Sequence, residues 1–201
     1  GPAQASSGPD TCAGEREAAL YARLQELGIA WTVFAHAPVF TVEEAQALRG
    51  SIPGIHTKNL FLYDRKGAHW LVVAREELSL DLNALAKILG RPRFSFGSPE
   101  RLGAYLGVVP GAVTPFALMN DSEARVNAVF DQGMLAGPAV NFHPLRNDRT
   151  ISVAPSELVR FAKRARRAER PAGRRGLPRR HSFPLLAQDR RPLWPVLLGP
   201  G

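Results

Sequence analysis

Cysteine is nearly absent: Cys12 is the only one in 201 residues. A single thiol allows no internal disulfide and no thiolate zinc cluster, so a metal site would have to rest on histidine and carboxylate. The five histidines, at 36, 56, 69, 143 and 181, show neither H-x-x-x-H nor H-x-H spacing. The expectation is that no metal or other cofactor is used. Long apolar runs are missing too. Nothing approaches the roughly 20 residues that span a bilayer, and the opening "GPAQASSGPDTCAGE" lacks the apolar centre of a secretion signal. A soluble, cytoplasmic protein without a membrane partner is therefore expected.

Three catalytic signatures are lacking. There is no G-x-x-x-x-G-K-[ST], no G-x-G-x-x-G after a strand and no G-x-S-x-G, which leaves phosphate-loop, dinucleotide and serine-hydrolase readings without a motif. Lysine is scarce as well, at positions 58, 66, 87 and 163 only. Lys66 falls in a hairpin turn and Lys87 on the polar face of a helix. Lys58 is set between Thr57 and Asn59 at the mouth of an apolar strand, "GIHTKNLFLYD". Position alone favours a strand-end lysine whose stem lies on apolar surface while its ammonium reaches water.

The residues that are present describe a globular domain, with 45% apolar and 22% charged side chains. The length suits one domain with a true core. A formal net charge of +8 resembles a nucleic-acid signal, but its distribution is uneven. Residues 160–201 hold 12 Lys+Arg against Glu169 and Asp189, whereas residues 1–159 hold 14 basic and 16 acidic side chains. Basicity belongs to the tail. "RFAKRARRAERPAGRRGLPRR" has the means to neutralise RNA phosphates, although its Pro/Gly/Arg composition fits a poorly ordered extension better.

Helices are predicted over residues 15–27, closed by Gly28, and over 41–50, opened by a Thr41/Glu44 capping box. "IAWTVFAH" between them reads as a strand. "TKNLFLYD" and "HWLVVAR" around the turn "RKGA" form an antiparallel hairpin. Two further helices follow, capped by Asp81 and by Ser98 with Pro99, with "FSF" between them. "VVPGAVTPFALMND" reads as a structured loop, then "RVNAVFD", "PAVNFHP" and "RTISV" as short strands before a last helix from Ser156. The sum is an α+β fold with a mixed, largely antiparallel sheet and surrounding helices, without the βαβ alternation of a doubly wound fold. Expected boundaries are a flexible leader at 1–14, a folded domain at 15–162 and an Arg/Pro-rich tail at 163–201.

Two further stretches carry chemistry. In "GAVTP", Gly111 to Pro115, glycine lets backbone N–H groups approach a carbonyl or phosphate closely. In "FHPL", His143 is held extended by Pro144, at a strand end where its ring can serve a ligand. Each alone is more ordinary as a loop and as a structural histidine.

In their order, "HAPVFTVEEA", "HTKNLFLYD", "SFGSPERLGAYLGVVPGAVTPFALMND" and "NFHPL" resemble the trans-acting prolyl-tRNA editing proteins, ProX type, of the YbaK/prolyl-tRNA synthetase-associated domain superfamily. The likeness runs from about Ala19 to Ala162. It implies hydrolysis of a mischarged tRNA(Pro), most often Ala-tRNA(Pro), outside the synthetase, with transient contact with prolyl-tRNA synthetase and no metal. It further implies that Lys58 neutralises the phosphate or ribose end of the tRNA. Gly111, Ala112, Val113, Thr114 and Pro115 would lie around the aminoacyl carbonyl, and Thr57, Asn59 and His143 would help hold the terminal adenosine or amino acid. Val33, Phe40 and Phe142 serve equally as pocket walls or core.

An activated ester needs positioning and a placed water more than a strong nucleophile, which accounts for the missing triad. Two other readings remain open at this point: a non-catalytic tRNA- or synthetase-binding protein on the same fold, and an editor of Cys-tRNA(Pro). The chain also departs from the family's usual ending, and the abrupt change of composition near its C-terminal end is consistent with an altered reading frame or splice form.

Overall fold

A computed structural model describes residues 12–38, 42–167 and 196–198. The elements in chain order are α1 (Ala13–Glu26), β1 (Thr32–Ala35), α2 (Val42–Ser51), β2 (Ile55–Asp64), β3 (His69–Arg75), α3 (Leu82–Ile88), β4 (Phe94–Phe96), α4 (Pro99–Leu106), β5 (Val126–Phe130), β6 (Val140–Phe142), β7 (Arg149–Val153), α5 (Pro155–Arg167) and β8 (Val196–Leu198). Short 3-10 helices at Pro115–Asn120 and Gln132–Ala136 flank β5.

The predicted architecture is the observed one. The sheet runs β1-β7-β6-β2-β3-β5-β8, and β4 joins it along β2. Pairings β2–β6 and β3–β5 are parallel; β1–β7, β6–β7, β2–β3, β2–β4 and β5–β8 are antiparallel. Successive side chains of a strand face opposite sides, so the apolar run of β3 feeds two cores at once. Leu71 and Val73 join Phe61, Leu102, Leu106, Phe116, Phe130, Phe142 and Phe161 on one face. Trp70 and Val72 join Leu62, Leu85, Ala86 and Phe94 on the other. Burying each such side chain stabilises the fold by roughly 1.5–3 kcal/mol, which is why β3 has no polar face from Trp70 to Ala74.

The helix ends follow their sequence signals. Asp81 accepts from the N–H groups of Asn83 and Ala84, Ser98 accepts from Arg101 N, and Gly107 closes α4 in the left-handed region at φ 63°. Thr41 and Phe40 lie outside the described residues. Three expectations need correction. The loop predicted through "TPFALMN" is a 3-10 helix, because Pro115 presets its first turn and Thr114 Oγ1 caps Phe116 N at 3.4 Å. The first helix starts at Ala13, two residues ahead of the expected boundary. The last helix ends at Arg167, where the stretch "ELVRFAKRARR" ends, which carries it past the domain boundary expected at 162; its buried Leu158, Phe161 and Ala162 seat it on the core. Beyond it, residues 196–198 pair with β5, and the rest of the predicted tail lies outside the described residues. No helix among the described residues is long and apolar enough to cross a membrane.

Asp64 closes the β2–β3 hairpin from inside. Its carboxylate accepts from Lys66 N at 2.8 Å, Ala68 N at 3.2 Å, Trp70 Nε1 at 3.2 Å and Arg91 Nε at 2.7 Å. Burial works against its charge, yet the bonds from Arg91, Trp70 and the two amides hold the carboxyl below its ordinary 3.8. This contribution to stability is complete above the unfolded value and is lost as pH falls through the lower folded value. Asp64→Ala should cost about 3 kcal/mol in urea unfolding at neutral pH. The same variant should flatten the acid limb of the stability curve.

Candidate functional site

β2 enters the sheet beside β6, with Ile55 opposite Val140 and His56 opposite Asn141, and then parts from it. Further along the same edge β4 pairs only with Leu62, Tyr63 and Asp64. Between these contacts the edge of β2 is forked open over Thr57 to Leu60. β6 ends at Phe142 because His143 precedes a proline, which has no N–H to continue the ladder. A cavity of about 110 Å³ lies at the fork. Leu48, Arg49 and Ile52 of α2 form one wall, His56, Thr57 and Asn59 of β2 the floor, and Asn141, Phe142, His143 and Thr150 the far wall, with Glu76 at its side.

The fork is tied at its base. Thr57 Oγ1 donates to the carbonyl of Asn141 at 2.8 Å, Asn141 Nδ2 donates to Pro53 O at 3.0 Å, and Ser152 Oγ donates to Asn141 Oδ1 at 2.6 Å. Gly54 makes this approach possible. Its φ is 108°, and a Cβ there would stand 3.2 Å from the Asn141 amide. Arg49 and Glu76 form an ion pair that ties α2 to the segment after β3.

Two polar groups of the cavity are free to serve a ligand. Asn59 Oδ1 is buried and has no hydrogen-bond partner among the described residues, while its Nδ2 lies 3.5 Å from Thr57 Oγ1. An orphaned buried acceptor costs roughly 1–3 kcal/mol, a cost that a donor from a bound molecule removes. His143 Nδ1 lies 2.8 Å from the carbonyl of Arg149, which can only accept, so Nδ1 carries the proton and Nε2 is the acceptor. Burial pushes the His143 pKa below its ordinary 6.5; the Arg149 carbonyl opposes this and His36 adds to it. His36 stands 6.2 Å away, ring to ring, with Nδ1 on Ala37 O and Nε2 on Thr150 Oγ1 at 2.9 Å.

The structure thus brings Thr57, Asn59, Phe142 and His143 together around one cavity. Phe142 is both core and wall: it is buried, meets Phe116 edge-on at 5.7 Å, and lines the cavity. Lys58 is placed differently. The strand's alternation turns it away from Thr57 and Asn59, and its ammonium donates to the carbonyl of Leu78. Gly111 to Pro115 do not line the cavity. Ala112, Thr114 and Pro115 are buried at the start of the 3-10 helix, and Gly111, at φ 87°, adjoins Asn147 of the β6–β7 turn. Val33 is exposed on β1 and stands outside this lining.

Sequence reasoning missed His36, Thr150, Asn141, Arg49 and Glu76. Only long-range pairing unites them; the nearest local signal was a histidine directly after a strand in "FAHAP". Among the described residues no group of three His, Cys, Asp or Glu side chains could hold a metal ion.

His143 should titrate below 6.5 in NMR spectra of the folded protein, as the Nδ1–H tautomer in its neutral form. Between its folded value and 6.5 the unfolded chain binds more protons. Its contribution should therefore be intact above 6.5 and fall with pH below it. Asn141→Ala should lower stability by about 2 kcal/mol, since it strands the groups bonded to its amide.

The model of the aminoacyl-tRNA editing domain matches residues 36–161, which hold every cavity residue named above. The prolyl-tRNA editing protein ProX of Acetoanaerobium sticklandii is 38% identical over 146 residues, covering 72% of this chain and 89% of that one. The multifunctional Ser/Thr-tRNA deacylase ProXp-y of Escherichia coli is 28% identical over 158 residues, covering 73% and 92%. The crystal structure of hypothetical protein APE2540 superposes with a TM-score of 0.60 at 24% identity, over 72% of this chain and 93% of that one, which speaks for the fold alone. This chain belongs to the aminoacyl-tRNA editing domain family.

Proposed function

We propose that this protein is an aminoacyl-tRNA hydrolase that clears mischarged tRNA(Pro) in trans, with Ala-tRNA(Pro) as its main substrate. The observation that carries the reading is the buried Asn59 Oδ1, without a partner among the described residues, in a small cavity of about 110 Å³ at the fork. The likeness to a prolyl-tRNA editing protein over most of both chains supports the tRNA.

In this reading the aminoacyl group enters the fork. Asn59 Oδ1 accepts from the substrate's ammonium or ribose hydroxyl. His143, neutral, offers Nε2 as a second acceptor. Water attacks the ester carbonyl, the bond to the 3′-oxygen breaks, and that oxygen leaves with a proton. The substrate's own 2′-hydroxyl orients the water, so no protein nucleophile is required. Phe142 and Ile52 limit side-chain size, because steric exclusion of the proline ring discriminates more strongly than a reward for one methyl.

Lys58 supplies the cation. The Leu78 carbonyl is its resting partner, and an arriving phosphate competes well, since a charged acceptor binds an ammonium more strongly than a neutral one. It positions the tRNA end and removes no proton. Gly111 to Pro115 act from behind, by supporting the turn that carries His143.

A deacylation panel with Ala-, Cys-, Ser-, Thr- and Pro-tRNA(Pro) tests this. Alanine should be released fastest and proline retained. Asn59→Ala should lower kcat/KM roughly 10- to 100-fold, the loss of a hydrogen bond to a charged or reacting group, and Lys58→Ala should abolish turnover. Release of serine or threonine without alanine would replace the alanine assignment, and full activity in Lys58→Ala would remove Lys58 from the mechanism.

A further inference from the structure

The segment that joins β6 to β7, residues 143–149, ends on Arg149, the first residue of β7 and the partner of Ala35 in β1, and it holds both histidines of the site. Two of its carbonyls fix the two histidines: Arg149 O accepts from His143 Nδ1 at 2.8 Å, and Asp148 O accepts from His36 N at 3.0 Å. The turn is not self-supporting. Leu145 is buried at φ 65°, a left-handed conformation unfavourable for a leucine, which needs its surroundings to hold it.

That support comes from α1. The Glu17 side chain is only 13% exposed; its Oε1 lies 3.2 Å from Arg149 Nε and its Oε2 3.1 Å from Arg146 Nη1. Arg146 in turn grips Asp148, with Nη2 to Oδ2 at 2.6 Å. Tyr21, one helical turn further on, lies against the same carboxylate. Its phenol is pushed up to about 12, first by burial and then by the Glu17 charge, so it stays a neutral neighbour. One carboxylate thus grips both arginines of the turn, the second of which bears the carbonyl that orients His143. Glu17 precedes residues 36–161, the span matched by the editing-domain model.

We propose that Glu17 is a positioning residue for His143: by holding Arg146 and Arg149 it fixes the Arg149 carbonyl, which selects the Nδ1–H tautomer and leaves Nε2 as acceptor at the cavity. The inference rests on His143 serving the substrate as described above. Glu17 itself touches neither the cavity nor the reacting atoms. Its effect travels through the geometry of one backbone carbonyl.

The test uses the full chain with ¹⁵N-labelled histidine, as wild type, Glu17→Gln, Glu17→Asp and Arg149→Lys, with kcat and KM for Ala-tRNA(Pro) measured alongside. Wild type should show His143 as a single Nδ1–H tautomer. Glu17→Gln should give a mixture of tautomers and a kcat lower by on the order of 10-fold, with KM little changed. Glu17→Asp, which keeps the charge, should recover part of both. A folded Glu17→Gln with an unchanged His143 tautomer overturns the proposal. Should Glu17→Gln fail to fold, Arg149→Lys decides, since it keeps the charge and the carbonyl while loosening the clamp: mixed tautomers support the proposal and a single tautomer overturns it. His143→Ala separates the two readings. Undiminished deacylation in that variant removes His143 from the reaction, while the tautomer measurement still decides the role of Glu17.

Discussion

Asn141 bonds in three directions at the point where β2 parts from β6. Its amide nitrogen holds the Pro53 carbonyl, its amide oxygen takes the Ser152 hydroxyl, and its backbone carbonyl takes the Thr57 hydroxyl. Everything at the cavity depends on this knot. It fixes where the parallel pairing stops, and so where the edge of β2 is left open. It also sets Thr57 and Asn59 on the floor, with the end of β6 turned toward them. A sheet that simply continued its ladder would satisfy its backbone and leave no room for a ligand.

The remaining elements give that opening rigid walls. β3 is buried on both faces, so β2 is anchored along its closed edge and cannot slide toward β6 without exposing apolar surface. Phe116 packs edge-on to both Phe142 and Phe161, coupling the cavity wall to the last helix. The charged groups lie further out, as two clamps. Arg49 with Glu76 holds α2 over the cavity, and Glu17 with Arg146 and Arg149 holds the turn beneath His143. The polar interior of the site is therefore small and mostly committed, which makes the unpartnered oxygen of Asn59 stand out.

Much of the fold was legible in the sequence because its signals are local. Asp81, Ser98 and Gly107 stop and start helices by bonds within a few residues, and the apolar run around "RKGA" announces a hairpin whatever it packs on. The last helix was placed within a residue at its start and to its end at Arg167, because Leu158, Phe161 and Ala162 keep a legible apolar stripe in a basic stretch; the domain boundary at 162 cut across it. The 3-10 helix after Thr114 was missed because Pro110, Gly111 and Pro115 together read as loop chemistry until the cap is seen. The site was half legible. Thr57, Asn59, Phe142 and His143 were named from motifs, and they do share a cavity. The side of the strand on which Lys58 stands follows from the same alternation that sets Thr57 and Asn59 inward, so it was available in principle from "HTKN". His36, Thr150 and Asn141 were not available, because register between strands far apart in the chain brings them together.

The most direct measurement is an NMR titration of the full chain with a non-hydrolysable alanyl-adenosine analogue, an amide in place of the ester. The account predicts the largest shifts at Thr57, Asn59 and His143, with a new hydrogen bond to the Asn59 side chain. Shifts confined to the basic end of α5, with the fork unperturbed, would contradict it.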